Sequence, residues 1–298
     1  MSKWFGTAVI AAATLCLFAR PVPAQVTDPS KGEQKCESST GKTLSKFVGS
    51  KSKCISKCMA TLRKIPATDY SPCLPKCTDA GCSPTIPSSY SDPTENACIF
   101  DTVKGAEAKA GTSIAKACND VPGADNCPEC YTAAQCSVSG ALNPWVQTTE
   151  GDIDAPISGS QLTAFPRLIY CKETAGTTPT KDEAKCEDGV SKALVKLVGA
   201  KNKCYSKCFS NFYKGKIPGG CNPPASDPAT ASCINDPTKG AEAKAKAAIV
   251  KACTTATPSC YTGGANGAAN SFVAAVENKV DQRTPQIACG SPSGAFVE

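Results

Sequence analysis

The sequence predicts an all-α protein: two tandem disulfide-stapled helical-hairpin modules, each with a short third helix and irregular loops rich in Pro and Ser. Three observations carry this expectation. The stretch 35–64, KCESSTGKTLSKFVGSKSKCISKCMATLRK, returns at 185–214 as KCEDGVSKALVKLVGAKNKCYSKCFSNFYK, with Cys36, Cys54 and Cys58 in register with Cys186, Cys204 and Cys208. At 100° per residue both copies gather their apolar side chains and all three thiols on one side, the signature of an amphipathic helix. Cysteine occurs 21 times in a chain that has no histidine.

Within each repeated stretch, Leu44, Phe47, Val48 and Leu62, or Val190, Leu194, Leu197 and Phe212, share the cysteine face. Five lysines, Lys42, Lys46, Lys53, Lys57 and Lys64, matched by Lys192, Lys196, Lys203, Lys207 and Lys214, fall within an arc of about 60° on the opposite side. Each helix should stop near 64–66 or 216–218, where proline cannot continue it. Lys51 and Lys201 project instead toward the apolar face. Their simplest reading is snorkelling, with an aliphatic stem over the core and a wet ammonium. The alternative pairs them with Glu107 and Glu242.

The repeat continues through 98–118 and 233–253, which share Lys-Gly-Ala-Glu-Ala-Lys and end on Cys118 and Cys253. Asp101 and Asp236 read as N-caps of a second helix, with Pro237 at the first helical position. Val103, Ala106, Ala110, Ile114 and Ala117 form its narrow apolar face, as do Ala241, Ala245, Ala248, Ile249 and Ala252. Cys130-Tyr131-Thr132 then matches Cys260-Tyr261-Thr262, and Cys171 matches Cys289. Asn270 reads as the cap of a short third helix, whose counterpart around 144–156 is less clearly helical. The loops 67–94 and 219–231 read as irregular and exposed. Module boundaries follow: 25–171 and 182–298, joined by a Thr/Gly/Pro linker at 172–181.

Residues 1–24 read as a Sec-type signal peptide: Lys3, an apolar core, and Val22-Pro23-Ala24 as the cleavage site. Secretion or export to the periplasm is therefore expected, and the 20 remaining cysteines read as a disulfide framework. Eight are shared by each module: Cys36, Cys54, Cys58, Cys73, Cys98, Cys118, Cys130 and Cys171, then Cys186, Cys204, Cys208, Cys221, Cys233, Cys253, Cys260 and Cys289. Four more, Cys77, Cys82, Cys127 and Cys136, should close two local bridges. Equivalent positions should pair alike, and antiparallel helices suggest Cys58–Cys98 and Cys208–Cys233. The lack of histidine removes the commonest zinc partner, so no metal or other cofactor is expected. Cys127-Pro128-Glu129-Cys130 has the spacing of a thiol oxidoreductase, but no βαβ pattern surrounds it and Cys260 matches Cys130 without a counterpart to Cys127.

The CxxxC on a Lys-rich helix, the Lys-Gly-Ala-Glu-Ala-Lys helix and the tandem duplication together resemble secreted bacterial cysteine-rich helical repeat proteins, which carry no assigned activity to transfer. The residues themselves point to a non-catalytic structural or binding role. They contain no Ser-His-Asp set and no Gly-rich phosphate loop. An unidentified hydrolase and a carrier of small apolar ligands stand as alternatives. The net charge of +6 falls to +4 without Lys3 and Arg20, and it is uneven: residues 172–298 hold 16 basic and 11 acidic side chains. That excess makes Lys192, Lys196, Lys203, Lys207 and Lys214 the candidate anion-binding residues, facing an acidic glycan or acidic protein surface. Aromatics that would stack bases are missing from the stripe, which argues against nucleic acid.

Overall fold

The structure, a computed structural model, describes residues 30–65, 69–75, 90–119, 126–154 and 165–289. The signal-peptide reading at 1–24 and the cysteines Cys16, Cys77 and Cys82 lie outside the described residues. Among the described residues the fold is all-helical. The helices are α1 (Lys31–Leu62), α2 (Pro93–Phe100), α3 (Ala106–Cys118), α4 (Ala133–Ser137), α5 (Pro144–Asp154), α6 (Phe165–Ile169), α7 (Cys171–Thr174), α8 (Lys181–Tyr213), α9 (Pro228–Asn235), α10 (Ala241–Ala252) and α11 (Gly264–Ile287), with 3₁₀ turns at Ser71–Cys73 and Gly140–Leu142.

The two long helices start four residues before the repeated stretches do, because each opens on a capping box. The Ser30 hydroxyl accepts from Glu33 N–H while Glu33 reaches back to Ser30 N–H, and Thr180 and Glu183 do the same. The loops 67–94 and 219–231 end in helices α2 and α9, capped by Asp92 and Asp227 with proline at the first helical position. Asp101 and Asp236 do not cap α3 and α10. Their carboxylates bind two backbone N–H groups each in the turn between α2 and α3, or α9 and α10. Gly105 and Gly240 are the N-caps there, and both are pinned: a Cβ at either would sit 2.5 Å from a backbone oxygen. Val103, assigned to the apolar face, is 75 % exposed as a result. The third helix of the second half, α11, is long rather than short and runs through Pro285.

Helices α1 and α8 pack antiparallel along the middle of the molecule. Ser52 meets Ser191 at 2.6 Å, Asn202 donates to Ser45 at 2.6 Å, and a Cβ on Gly49 would already press Val195. Each long helix carries its own hairpin partner, α3 against α1 and α10 against α8. Three bridges repeat in register: Cys36–Cys118 with Cys186–Cys253, Cys54–Cys98 with Cys204–Cys233, and Cys58–Cys73 with Cys208–Cys221. The expected Cys58–Cys98 and Cys208–Cys233 pairs are therefore corrected. The chain reverses just past each long helix, so the last cysteine of the helix meets the first cysteine after the turn, and the bridges nest.

The remaining two shared pairs are exchanged. Cys130 bonds Cys289 and Cys260 bonds Cys171, so each half closes on the end of the other. The neighbouring tyrosines follow the same exchange. Tyr131 donates to the carbonyl of Ile287 and Tyr261 to that of Ile169, both at 2.6 Å. Each tyrosine also packs on the equivalent ring of its own half's third helix, Tyr131 on Trp145 and Tyr261 on Phe272. The stretch 172–181 takes part in this seam: Cys171–Thr174 is helical and Glu173 is buried. A bridge spanning 159 residues removes a large share of unfolded-chain entropy, about 5 kcal/mol on chain-entropy grounds. Peptide mapping without reduction should recover Cys130–Cys289 and Cys171–Cys260. Recovery of Cys130–Cys171 and Cys260–Cys289 instead would rule out the exchange.

Candidate functional site

Every described cysteine is bridged, including Cys127 to Cys136. Cys127 and Cys130 thus belong to different bridges and form no redox dithiol. Among the described residues two groups come within ligand distance of one another, Cys36 with Cys118 and Cys136, and Cys58 with Cys73 and Glu95. Their sulfurs are disulfide sulfurs, which offer no thiolate to a metal.

Lys51 and Lys201 do not snorkel. Both are fully buried. The Lys51 ammonium donates to Glu150 at 2.8 Å and to Asp154, and the rings of Tyr90 and Phe100 lie over it at 5.6 and 5.9 Å. Lys201 is held by Asp281 at 2.9 Å, Glu277 at 3.1 Å and, more distantly, Glu242 at 4.0 Å. Glu150 and Asp154 on α5 correspond to Glu277 and Asp281 on α11, so one device recurs in both halves. The spacing of four residues puts both carboxylates of each pair on one helix face. Sequence reasoning named Glu107 and Glu242 but missed these four acids, although Glu-x-x-x-Asp occurs in both third helices opposite a lysine on an apolar face.

Around the first cation the acids outnumber the charge available. Glu95 and Glu107 are buried with neither oxygen of either group hydrogen-bonded to a donor. Burial pushes Glu107 up to about 9, and the adjacent Glu150 charge adds to the shift. The protonated Glu107 can then donate to Glu150. Burial likewise raises Glu95 to about 9. Lys51 stays above its ordinary value: burial is the largest influence and lowers it, but Asp154 and Glu150 together outweigh it. The same arrangement stands at Arg63, which contacts Glu173, Glu187 and Asp188. There burial, with Glu173 beside it, raises Glu187 to about 9. These carboxyls are too enclosed for substrate, so the Lys51 cluster is part of the core rather than a catalytic centre.

The lysine stripes present a different surface. All ten lysines, Lys42, Lys46, Lys53, Lys57, Lys64, Lys192, Lys196, Lys203, Lys207 and Lys214, are exposed. Leu44, Val48 and Ile55 of α1 and Leu194, Val195 and Val198 of α8 line one apolar cavity of about 130 Å³, closed on its far side by α5, α6 and α11. Both helices therefore turn the same side to the cavity. The lysines lie on the far side of each helix, which brings the two stripes onto a single face. Along each stripe Lys42 to Lys64, or Lys192 to Lys214, covers about 33 Å. At the cavity rim Asp152 pairs with Lys279 at 3.4 Å and with Arg283, joining the two halves again.

No family model, no curated protein and no solved structure matches the chain. No helix among the described residues is long and apolar enough to cross a membrane. The nine bridges among the described residues fit an oxidising extracellular or periplasmic setting.

The proton-holding carboxyls give stability a definite slope with pH. Glu95, Glu107 and Glu187 rise from an ordinary 4.5 to about 9 in the folded protein. Between those values the folded state keeps protons that the unfolded state releases, so their stabilising contribution is complete below pH 4.5 and is lost as pH rises toward 9. Urea midpoints should fall from pH 5 to pH 9. Glu107→Gln, which cannot lose that proton, should flatten the slope by up to about 1.4 kcal/mol per pH unit. A variant slope equal to that of the wild type would show that Glu107 is ionised in the fold.

Proposed function

We propose that the chain is an exported, non-catalytic binding protein: a disulfide-locked helical scaffold that presents a field of ten lysines to an acidic glycan. The observation that carries this reading is that both stripes are exposed and lie on one face, away from the cavity. Nested bridges fix the long helices, so the array loses little conformational freedom on binding, unlike a flexible basic tail. Attraction between exposed charges is screened within about 10 Å at 0.1 M salt, so binding of this kind weakens steeply with ionic strength.

Heparin is a suitable probe. Wild-type protein should be retained on a heparin column and elute with salt. Replacing Lys192, Lys196, Lys203, Lys207 and Lys214 by Gln should lower the eluting salt markedly, and replacing all ten should abolish retention, with helix content unchanged. Elution of the ten-fold variant at the wild-type salt would reduce the face to a solvated surface.

The cavity supports a second reading, carriage of a small apolar ligand. Its mostly apolar walls leave room for a guest of about benzene size. A long lipid chain exceeds it. Native mass spectrometry of protein purified from its own source should show a stoichiometric apolar adduct of that size. A spectrum holding only the unliganded mass would remove this reading.

A further inference from the structure

The lysine field runs further than its ten residues, and its two ends differ. Lys31 and Lys35 continue the stripe of α1 backward with the same alternating spacing, and Lys181 and Lys185 do so for α8. At 100° per residue all four fall in line with the stripes, and all four are exposed. Because the two helices are antiparallel, each stripe starts beside the finish of the other. Where α1 finishes beside the start of α8, the chain fills the groove between them itself. The Tyr170 hydroxyl stands 2.6 Å from Ser56 and 3.2 Å from Asp188. The Arg63 guanidinium lies 5.6 Å from the centre of that ring and reaches Glu187 at 3.0 Å.

Where α1 starts beside the finish of α8, a cleft of about 500 Å³ opens, a volume within the usual range of small-ligand sites. The two long helices are its walls and the end of α11 is its floor. Helix α11 packs on the side of α1 and α8 that holds the apolar cavity, so the cleft opens on the opposite side, the lysine face. Lys31, Lys35 and Lys214 line it, and Ser38, Ser206 and Ser210 add hydroxyls. The one acid among the described lining residues, Glu37, is 4 % exposed and accepts from Tyr213 at 2.7 Å. It belongs to the floor, not to the open space. Three cations above one enclosed carboxyl give the cleft a positive field.

We propose that this cleft holds the end sugar of an acidic glycan. The acid group of that sugar lies against Lys31, Lys35 and Lys214, its ring hydroxyls meet Ser38, Ser206 and Ser210, and the rest of the glycan runs out along the lysine field. The assignment rests on the glycan reading above and adds a direction to it. A field of exposed lysines attracts any polyanion, wherever along its length the contact falls. A cleft at one end of the field, set with hydroxyls at fixed positions, takes a chain end and takes one per molecule.

The probe is a sulfated heparin disaccharide, too short to follow a stripe of about 33 Å. The measurement is calorimetry in low salt at pH 6 with the oxidised full-length protein. Burial raises Glu37 to about 7, so at pH 6 it keeps its proton and sets no charge beneath the ligand. Wild type should bind one disaccharide per chain and leave the neutral disaccharide chitobiose unbound. Ser206→Tyr fills the cleft without removing a charge. It should weaken the disaccharide by about tenfold or more, yet lower the salt of elution from heparin far less than loss of the ten stripe lysines does. Lys31→Gln with Lys35→Gln, both outside those ten, should weaken the disaccharide about fivefold. Helix content and a non-reducing bridge map check each fold, and the lysine pair provides the test if Ser206→Tyr does not fold. Heparin retention without a one-to-one disaccharide site, equal binding by folded Ser206→Tyr, or equal binding of chitobiose would each overturn the cleft and leave the field standing. A disaccharide bound one to one by a protein that heparin does not retain would support the cleft and remove the field.

Discussion

A cation taken out of water needs its counter-charges brought to it, and in this protein that need decides how the helices dock. Lys51 and Lys201 sit on the faces of α1 and α8 that become core. Each is neutralised only when the third helix of its own half arrives with a carboxylate pair, Glu150 and Asp154 or Glu277 and Asp281. Arg63 does the same across the seam, drawing Glu173, Glu187 and Asp188 together. Removing one partner from such a buried set typically costs about 3–5 kcal/mol, because the others are left uncompensated. Apolar packing alone would allow α5 and α11 to slide along the long helices. The buried ammonium fixes their register.

Surplus acids around these cations are tolerated because a carboxyl can surrender its charge by keeping its proton. Glu107 beside Glu150, Glu187 beside Glu173 and Glu242 beside Glu277 are three such neighbours, each next to a cation. The first two pairs are enclosed. The third has side chains 18 % and 29 % exposed, and burial there lifts Glu242 only to about 7. Water access thus grades the same chemistry from one half to the other.

Much of this was legible in the sequence. The repeat, the helical period and the in-register thiols define the long helices and the faces they bury. Their true starts were written in Ser30-x-x-Glu33 and Thr180-x-x-Glu183, and α2 and α9 in Asp92-Pro93 and Asp227-Pro228. Two things were not legible, for physical reasons. A lysine on an apolar helix face has two solutions, extension to water or burial with partners, and the choice rests on acids 99 and 103 residues away for Lys51 and as far as 80 for Lys201. The bridge exchange is hidden by the repeat itself: Cys130 and Cys260 are equivalent, so pairing within a half and pairing between halves have the same sequence signature.

The reciprocal closure has a consequence for quaternary structure. Each half lends its last cysteine to the other and receives one in return, and only the short run 175–180 joins α7 to α8. Two separate copies of a single half could build the same particle as a two-fold homodimer with two identical intersubunit bridges. Fused in one chain, the halves can no longer exchange partners with other molecules, and each is free to diverge. Corresponding ends can then carry different residues, Tyr170 and Arg63 at one and Ala288 and Tyr213 at the other.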